Sequence, residues 1–137
     1  MKLSLLLLPF LFLLAGCGRT YTLIGRIVFL EASQASSITE IVGKAFPQVG
    51  GEAVPNASVT LFHELKDNLP VRDSTWQRTI EADSKGQFEL SDYATPGEKN
   101  LVGLEVSAPG YETVFTTYID YIDPDEQFFL IVLRKAG

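Results

Sequence analysis

Few residues of this 137-residue chain carry side chains that make or break bonds. It has one cysteine, Cys17, and one histidine, His63. Cys17 has no second cysteine to pair with internally, so the fold must stand on its core alone. His63 shares the period-two face of Val59 and Leu61, and local spacing places no nucleophile beside it. A lone histidine so placed reads as structural. One His and one Cys make no usual zinc site without carboxylates. Asp120, Asp123, Asp125 and Glu126 crowd one loop. Oxygen ligands that close could hold Ca²⁺, but Tyr121-Ile122 and Pro124 interrupt the ladder, and the run reads as a solvated acidic loop. These residues call for no catalytic group, no metal and no cofactor. The aromatic residues Trp76, Tyr93, Tyr118 and Tyr121 fall in or beside strand-like runs, and Phe46 lies in a longer insertion. Flat rings serve either as a binding platform or as packing. Asn56-Ala57-Ser58 matches a glycosylation sequon and reads more simply as the polar entrance to a strand.

Cys17 draws its meaning from what precedes it. Lys2 and the α-amino group give a positive start. Leu3 to Leu14 is apolar apart from Ser4 and Pro9, and Ala15-Gly16 supplies small residues before the cysteine. A spanning helix needs about 20 apolar residues, so the run is too short and reads as a signal peptide, residues 1–16. Leu14-Ala15-Gly16-Cys17 resembles the lipobox of bacterial lipoproteins. That resemblance implies cleavage before Cys17, acylation of its thiol and a short tether over residues 17–20. Gly18 follows the cysteine in place of an Asp, which by the same family's rule favours the outer membrane of a bacterial cell envelope. The membrane is thus the expected partner, through acylated Cys17. Without Lys2 the mature chain has 10 basic against 17 acidic residues, a net charge of about −7. Such a surface repels phosphate backbones, so nucleic acid is not an expected partner.

The body, residues 21–137, reads as all-β. Val102, Leu104, Val106 and Ala108 alternate with Gly103, Glu105 and Ser107. Ala57, Val59 and Leu61 alternate with Ser58 and Thr60, and Phe88 and Leu90 with Gln87 and Glu89. The pattern predicts seven strands, at about 21–30, 57–65, 72–82, 86–90, 101–108, 111–119 and 127–134. Phe128 to Leu133 is apolar on both faces and should be a central or doubly covered strand. Asp83-Ser84-Lys85-Gly86 and Ala108-Pro109-Gly110-Tyr111 predict tight turns with glycine at positive φ. Seven short strands suggest two packed sheets.

Four blocks in order carry a second resemblance. They are Leu23-x-Gly25-x-Ile27, Val54-Pro55-Asn56-Ala57-Ser58-Val59-Thr60-Leu61, Thr79-x-x-Ala82-Asp83-x-x-Gly86-x-Phe88-x-Leu90, and Val106-Ser107-Ala108-Pro109-Gly110-Tyr111. Together they resemble the carboxypeptidase regulatory-like domain, which implies a transthyretin-like (prealbumin-type), seven-stranded Greek-key β-sandwich. The chain departs from that family in a long insertion, residues 31–53. Ser37-Ile38-Thr39-Glu40 has capping-box spacing, and Ile38, Ile41, Val42 and Ala45 repeat at i, i+3, i+4 and i+7, which predicts a short helix there. Long inserted loops are often functional.

The expectation from sequence is therefore a non-enzymatic, lipid-anchored module of the cell envelope that binds a protein, peptide or glycan. Its partner contacts would be Ile38, Ile41 and Phe46 of the insertion, with Tyr118 and Tyr121. The alternative is a structural subunit of an envelope assembly. The transthyretin-like family also includes a hydrolase of 5-hydroxyisourate, which ends in a Tyr-Arg-Gly-Ser-like motif. This chain ends Leu133-Arg134-Lys135-Ala136-Gly137, so that motif is missing.

Overall fold

The computed structural model describes residues 19–31, 33, 35–41, 50–94, 100–120 and 126–137. Alternating apolar residues make these segments strands, because period two puts one row of side chains on one face of a pleat. The strands are β1 (Arg19–Phe29), β2 (Ser37–Ile41), β3 (Glu52–Ala53), β4 (Ser58–Phe62), β5 (Leu65–Lys66), β6 (Leu69–Pro70), β7 (Gln77–Glu81), β8 (Gln87–Ala94), β9 (Asn100–Ser107), β10 (Val114–Asp120) and β11 (Glu126–Leu133). Among the described residues there are thus eleven strand segments where the sequence pattern predicts seven. The extra four are β2, β3, β5 and β6, all short, and three of them have only two residues. Pairs that brief leave no periodic signal to read.

One sheet runs β2-β11-β1-β3, with β8 also pairing β1, and the other runs β10-β9-β4-β7. β1 is the hub. It pairs antiparallel with β8 from Arg19↔Ala94 to Arg26↔Gln87, then with β3 at Val28↔Ala53 and Phe29↔Glu52. Along its other edge it pairs parallel with β11, from Thr22↔Glu126 to Phe29↔Leu133. In the second sheet every pairing is antiparallel, with Val59 opposite both Ile80 and Val106.

The sheets pack face to face around one core. Leu23 and Ile27 of β1, Phe88 and Leu90 of β8, and Phe129, Ile131 and Leu133 of β11 come from one side. Val59 and Leu61 of β4 and Val102, Leu104 and Val106 of β9 come from the other. All are essentially buried, and each such side chain contributes about 1.5–3 kcal/mol relative to exposure. On β11, Phe128 and Val132 are buried on the opposite face too. The doubly apolar run is thus an inner strand, between β1 and β2.

The insertion corrects one expectation. Ser37–Ile41 is a strand on the edge of β11, with Ile38 opposite Ile131 and Ile41 opposite Phe128. Without β2, the outer edge of β11 would present a row of unpaired backbone groups. The β-branched residues Ile38, Thr39 and Ile41 suit that role better than a helix. Residues 42–49, which hold the rest of the expected helix, lie outside the described residues.

Strand ends also shift. β7 starts at Gln77 rather than 72, because residues 72–75 are held in a turn, where Gln77 Nε2 donates to the Arg72 carbonyl at 3.3 Å. The strand expected from 111 begins at Val114, and Tyr111 instead bridges to Lys135.

Two glycine turns are as the sequence predicts. Gly86 has φ +74° and Gly110 φ +84°. Asp83 Oδ1 accepts from the amides of Lys85 and Gln87, each at 2.9 Å, which fixes the first turn. The Gly86 carbonyl accepts from Ile27 N at 2.7 Å, tying the turn to β1. A Cβ at Gly86 would stand 2.4 Å from the Ile27 carbonyl oxygen, whereas a Cβ at Gly110 meets nothing within 4 Å. Gly110→Ala should therefore cost only the φ penalty, about 1–2 kcal/mol. Gly86→Ala should cost distinctly more, roughly 3 kcal/mol, by adding a backbone collision. Urea unfolding midpoints check this, and equal losses would remove the collision from the account.

Candidate functional site

The inward rows of the two sheets end in polar residues at one end of the sandwich. On β4 the row Val59, Leu61 continues to His63, just past the strand. On β8 the row Phe88, Leu90 continues to Asp92. The two meet across the sheets, His63 Nε2 to Asp92 Oδ2 at 2.7 Å. Their side chains are about a quarter and a fifth exposed, so the pair is sheltered yet reachable. A carboxylate only accepts, so the shared proton sits on Nε2 when the imidazole is neutral, and Nδ1 carries the lone pair.

Polar residues continue beneath the pair. Tyr21 of β1 stands opposite Asp92, and Gln127 of β11 stands opposite Leu23. Both are buried. The Gln127 Oε1 atom has no hydrogen-bond partner within the protein. Leaving such an acceptor dry costs about 1–3 kcal/mol, which a buried water would offset. This end of the core is therefore chemically unlike the rest of it.

The excursion between β4 and β7 forms the wall of a groove. His63, Glu64, Asp73, Ser74, Thr75 and Trp76 line an open cavity of about 520 Å³. Several local bonds hold the wall. His63 N donates to the Trp76 carbonyl at 3.0 Å, and Trp76 N donates to Ser74 Oγ at 3.1 Å. Asp67 and Asn68 take positive φ between β5 and β6, where short polar side chains tolerate the left-handed region. The excursion is then pinned to the second sheet. Arg72 Nη2 and Nη1 donate to Glu105 Oε2 and Oε1 at 2.6 and 3.1 Å. The guanidinium also lies 5.8 Å from the Phe62 ring centroid, and Phe62 meets Phe115 edge to face at 6.5 Å. The hydrogen bond to Glu105, and secondarily its charge, hold the Arg72 pKa above its ordinary value.

Trp76 and Tyr93 stand 71% and 73% exposed at this end, one beside His63 and the other beside Asp92. The groove thus offers a base oriented by a carboxylate, two hydroxyls and an accessible aromatic face. Among the described residues, no three His, Cys, Asp or Glu side chains converge as a metal site.

The expected contact residues do not gather here. Ile38 and Ile41 lie half-buried on β2, at the far edge of the β11 sheet. Tyr118 is on β10, opposite Val102. Cys17, Phe46 and Tyr121 lie outside the described residues, as do Asp123 and Asp125 of the acidic loop. Asp92 escaped the sequence reading, although its signal was present. It continues the inward alternation of Phe88 and Leu90, and an inward carboxylate needs a partner.

No family model and no curated protein sequence matches the chain. Solved structures do. A catechol 1,2-dioxygenase from Acinetobacter radioresistens superposes with a TM-score of 0.56 at 14% identity, over 90% of this chain and 54% of the enzyme. The 3-chlorocatechol 1,2-dioxygenase of Rhodococcus opacus gives 0.55 at 13% identity, over 87% and 60%. A hydroxyquinol 1,2-dioxygenase from Pseudomonas putida gives 0.51 at 10%, over 87% and 57%. The chain spans little more than half the length of these enzymes, and the likeness is one of fold. It overturns the expectation of a non-enzymatic binding module, and with it the statement that the chain is no enzyme. The sandwich is a frame that these dioxygenases share, so the frame gives no ground for a binding-only role.

A double-mutant cycle with His63→Ala and Asp92→Ala should return a coupling of about 0.5–1.5 kcal/mol in unfolding free energy. Strict additivity of the two losses would mean that the bond does not persist in solution.

Proposed function

We propose that the protein is a lipid-anchored enzyme of the bacterial envelope that performs acid–base chemistry on a hydroxylated aromatic ring. The 2.7 Å bond between His63 and Asp92, at the mouth of a groove beside Trp76, carries the reading. A flat ring stacks on the indole, and a ring hydroxyl points to His63 Nδ1. The O–H bond breaks, the proton passes to Nδ1, and a phenolate remains. Asp92 holds the imidazole in the right tautomer and stabilises the imidazolium that forms. The hydroxyls of Ser74 and Thr75 are the available donors to the oxyanion. The dioxygenases of similar fold are named for catechol, chlorocatechol and hydroxyquinol substrates, which favours this ligand class over others that a histidine base would serve.

Two sequence readings join this proposal. The four family-like blocks support a transthyretin-like Greek-key arrangement, since they fall on β1, on β4, on the turn into β8 and at the end of β9. The lipobox-like Leu14-Ala15-Gly16-Cys17 supports cleavage before Cys17 and its acylation, with two or three chains giving firm attachment where one gives little.

The probe for the base is 4-nitrocatechol, whose phenolate is coloured, added to residues 19–137. This segment contains every residue of the core cluster. Bound probe should show the phenolate band at a pH where free probe does not. His63→Ala should abolish the band and weaken binding about tenfold, while a phenolate band undiminished in His63→Ala would refute the assignment. For the anchor, Cys17→Ala should remove the lipid mass from the mature protein. A native product whose Cys17 is a bare thiol would refute acylation.

A further inference from the structure

The large apolar side chains that stand exposed among the described residues are Leu69, Trp76, Tyr93 and Leu101. All four lie toward one end of the sandwich, with Tyr93 and Leu101 on its two outer faces. Trp76 immediately precedes Gln77, which pairs with Phe62 at the end of β4. Phe62 also pairs with Gly103, so Leu101 lies two residues further toward that same end. Tyr93 pairs with Thr20 at the start of β1, and the His63–Asp92 bond fixes that end of β8 beside the end of β4. Leu69 sits on the β5–β6 hairpin, inserted between β4 and β7 at this end. The opposite end differs in kind. There Lys135 covers the Phe29 ring at 4.7 Å, and Glu31, Ser33 and Arg134 line a polar groove.

The chain also enters at the apolar end. β1 begins with Arg19, paired to Ala94, and only Gly18 separates it from Cys17. Two residues reach about 7 Å at full extension. A lipid on Cys17 would therefore hold this end of the sandwich against the bilayer, with little freedom to turn away. Trp and Tyr are the side chains suited to the headgroup boundary, because each has an apolar body and a polar tip.

We infer that the β1-entry end, with Trp76, Tyr93 and Leu101 at its surface, docks on the lipid leaflet that holds Cys17. The occupant is a lipid surface rather than a protein partner, because the tether is too short to admit a folded protein in between. The excursion there carries Glu64, Asp67 and Asp73 against Lys66 and Arg72, so docking needs no anionic headgroup. The His63 groove then opens toward the membrane boundary, where amphiphilic aromatic compounds concentrate. The inference goes beyond the proposed chemistry but rests on acylation of Cys17.

Trp76 is the only tryptophan and reports the contact directly. The mature acylated protein is placed on phosphatidylcholine vesicles, with or without bromine on the upper acyl carbons. Sedimentation reads the anchor, and quenching of Trp76 reads docking. We expect the protein to sediment and brominated lipid to quench roughly half of the emission, since interfacial residues reach about 5–10 Å into the boundary. The double variant Tyr93→Asp, Leu101→Asp should relieve the quenching while the protein still sediments and its unfolding midpoint is unchanged. Sedimentation with unquenched Trp76 would overturn docking while leaving the anchor intact, and it is also the outcome if a second copy covers this face. Failure to sediment would overturn both.

Discussion

The first and last long strands of the chain lie side by side and parallel. β1 and β11 share eight residue pairs, from Thr22↔Glu126 to Phe29↔Leu133, and no hairpin can join parallel neighbours. All that lies between must leave one end of β1 and return to the other before the sheet closes. The intervening chain does so by building the second sheet, whose inward row of Val59, Leu61, Val102, Leu104 and Val106 covers β1 and β11. Core burial and the parallel pair are therefore one event. Non-local pairing of this kind makes folding slow relative to helical proteins of similar size.

That constraint also polarises the molecule. The C-terminal ends of β1 and β11 emerge together, where the Gly86 turn binds the Ile27 amide and Lys135 bridges to Tyr111. Their N-terminal ends also emerge together, at the end where β4 and β8 finish. The inward rows become polar there, with His63, Asp92, Tyr21 and Gln127 in place of aliphatic side chains. A sandwich end is where an inward polar pair can reach solvent. Rigid strands aim the groups from below, while the inserted excursion shapes the opening without disturbing the core.

How much was legible depended on range. The alternation at residues 57–61, 87–90 and 102–108 located the strands and their inward faces, because period two is a property of a single strand. The turns at Gly86 and Gly110 were legible because only glycine takes positive φ there without penalty. Ser37–Ile41 misled, since five residues with apolar positions at 38 and 41 fit a helix turn as well as an edge strand. The open edge of β11 decided between them. His63 looked inert for a related reason. Its partner stands 29 positions away, beyond any window of local spacing. The expectation of a non-enzymatic module rested on the absence of a local motif, and a fold shared with dioxygenases removes that ground.

By itself, the sequence determined an all-β body, its inward residues, its glycine turns and an apolar N-terminal run that stops at a single cysteine. Each of these follows from neighbours within a few residues, where backbone sterics and side-chain alternation act. Only the tertiary structure decided that β1 pairs with β11, that His63 reaches Asp92, and that Trp76, Tyr93 and Leu101 share the end at which the chain enters. Those are choices among strands with similar local patterns. The total burial of two sheets against each other makes them, and no single segment contains that quantity.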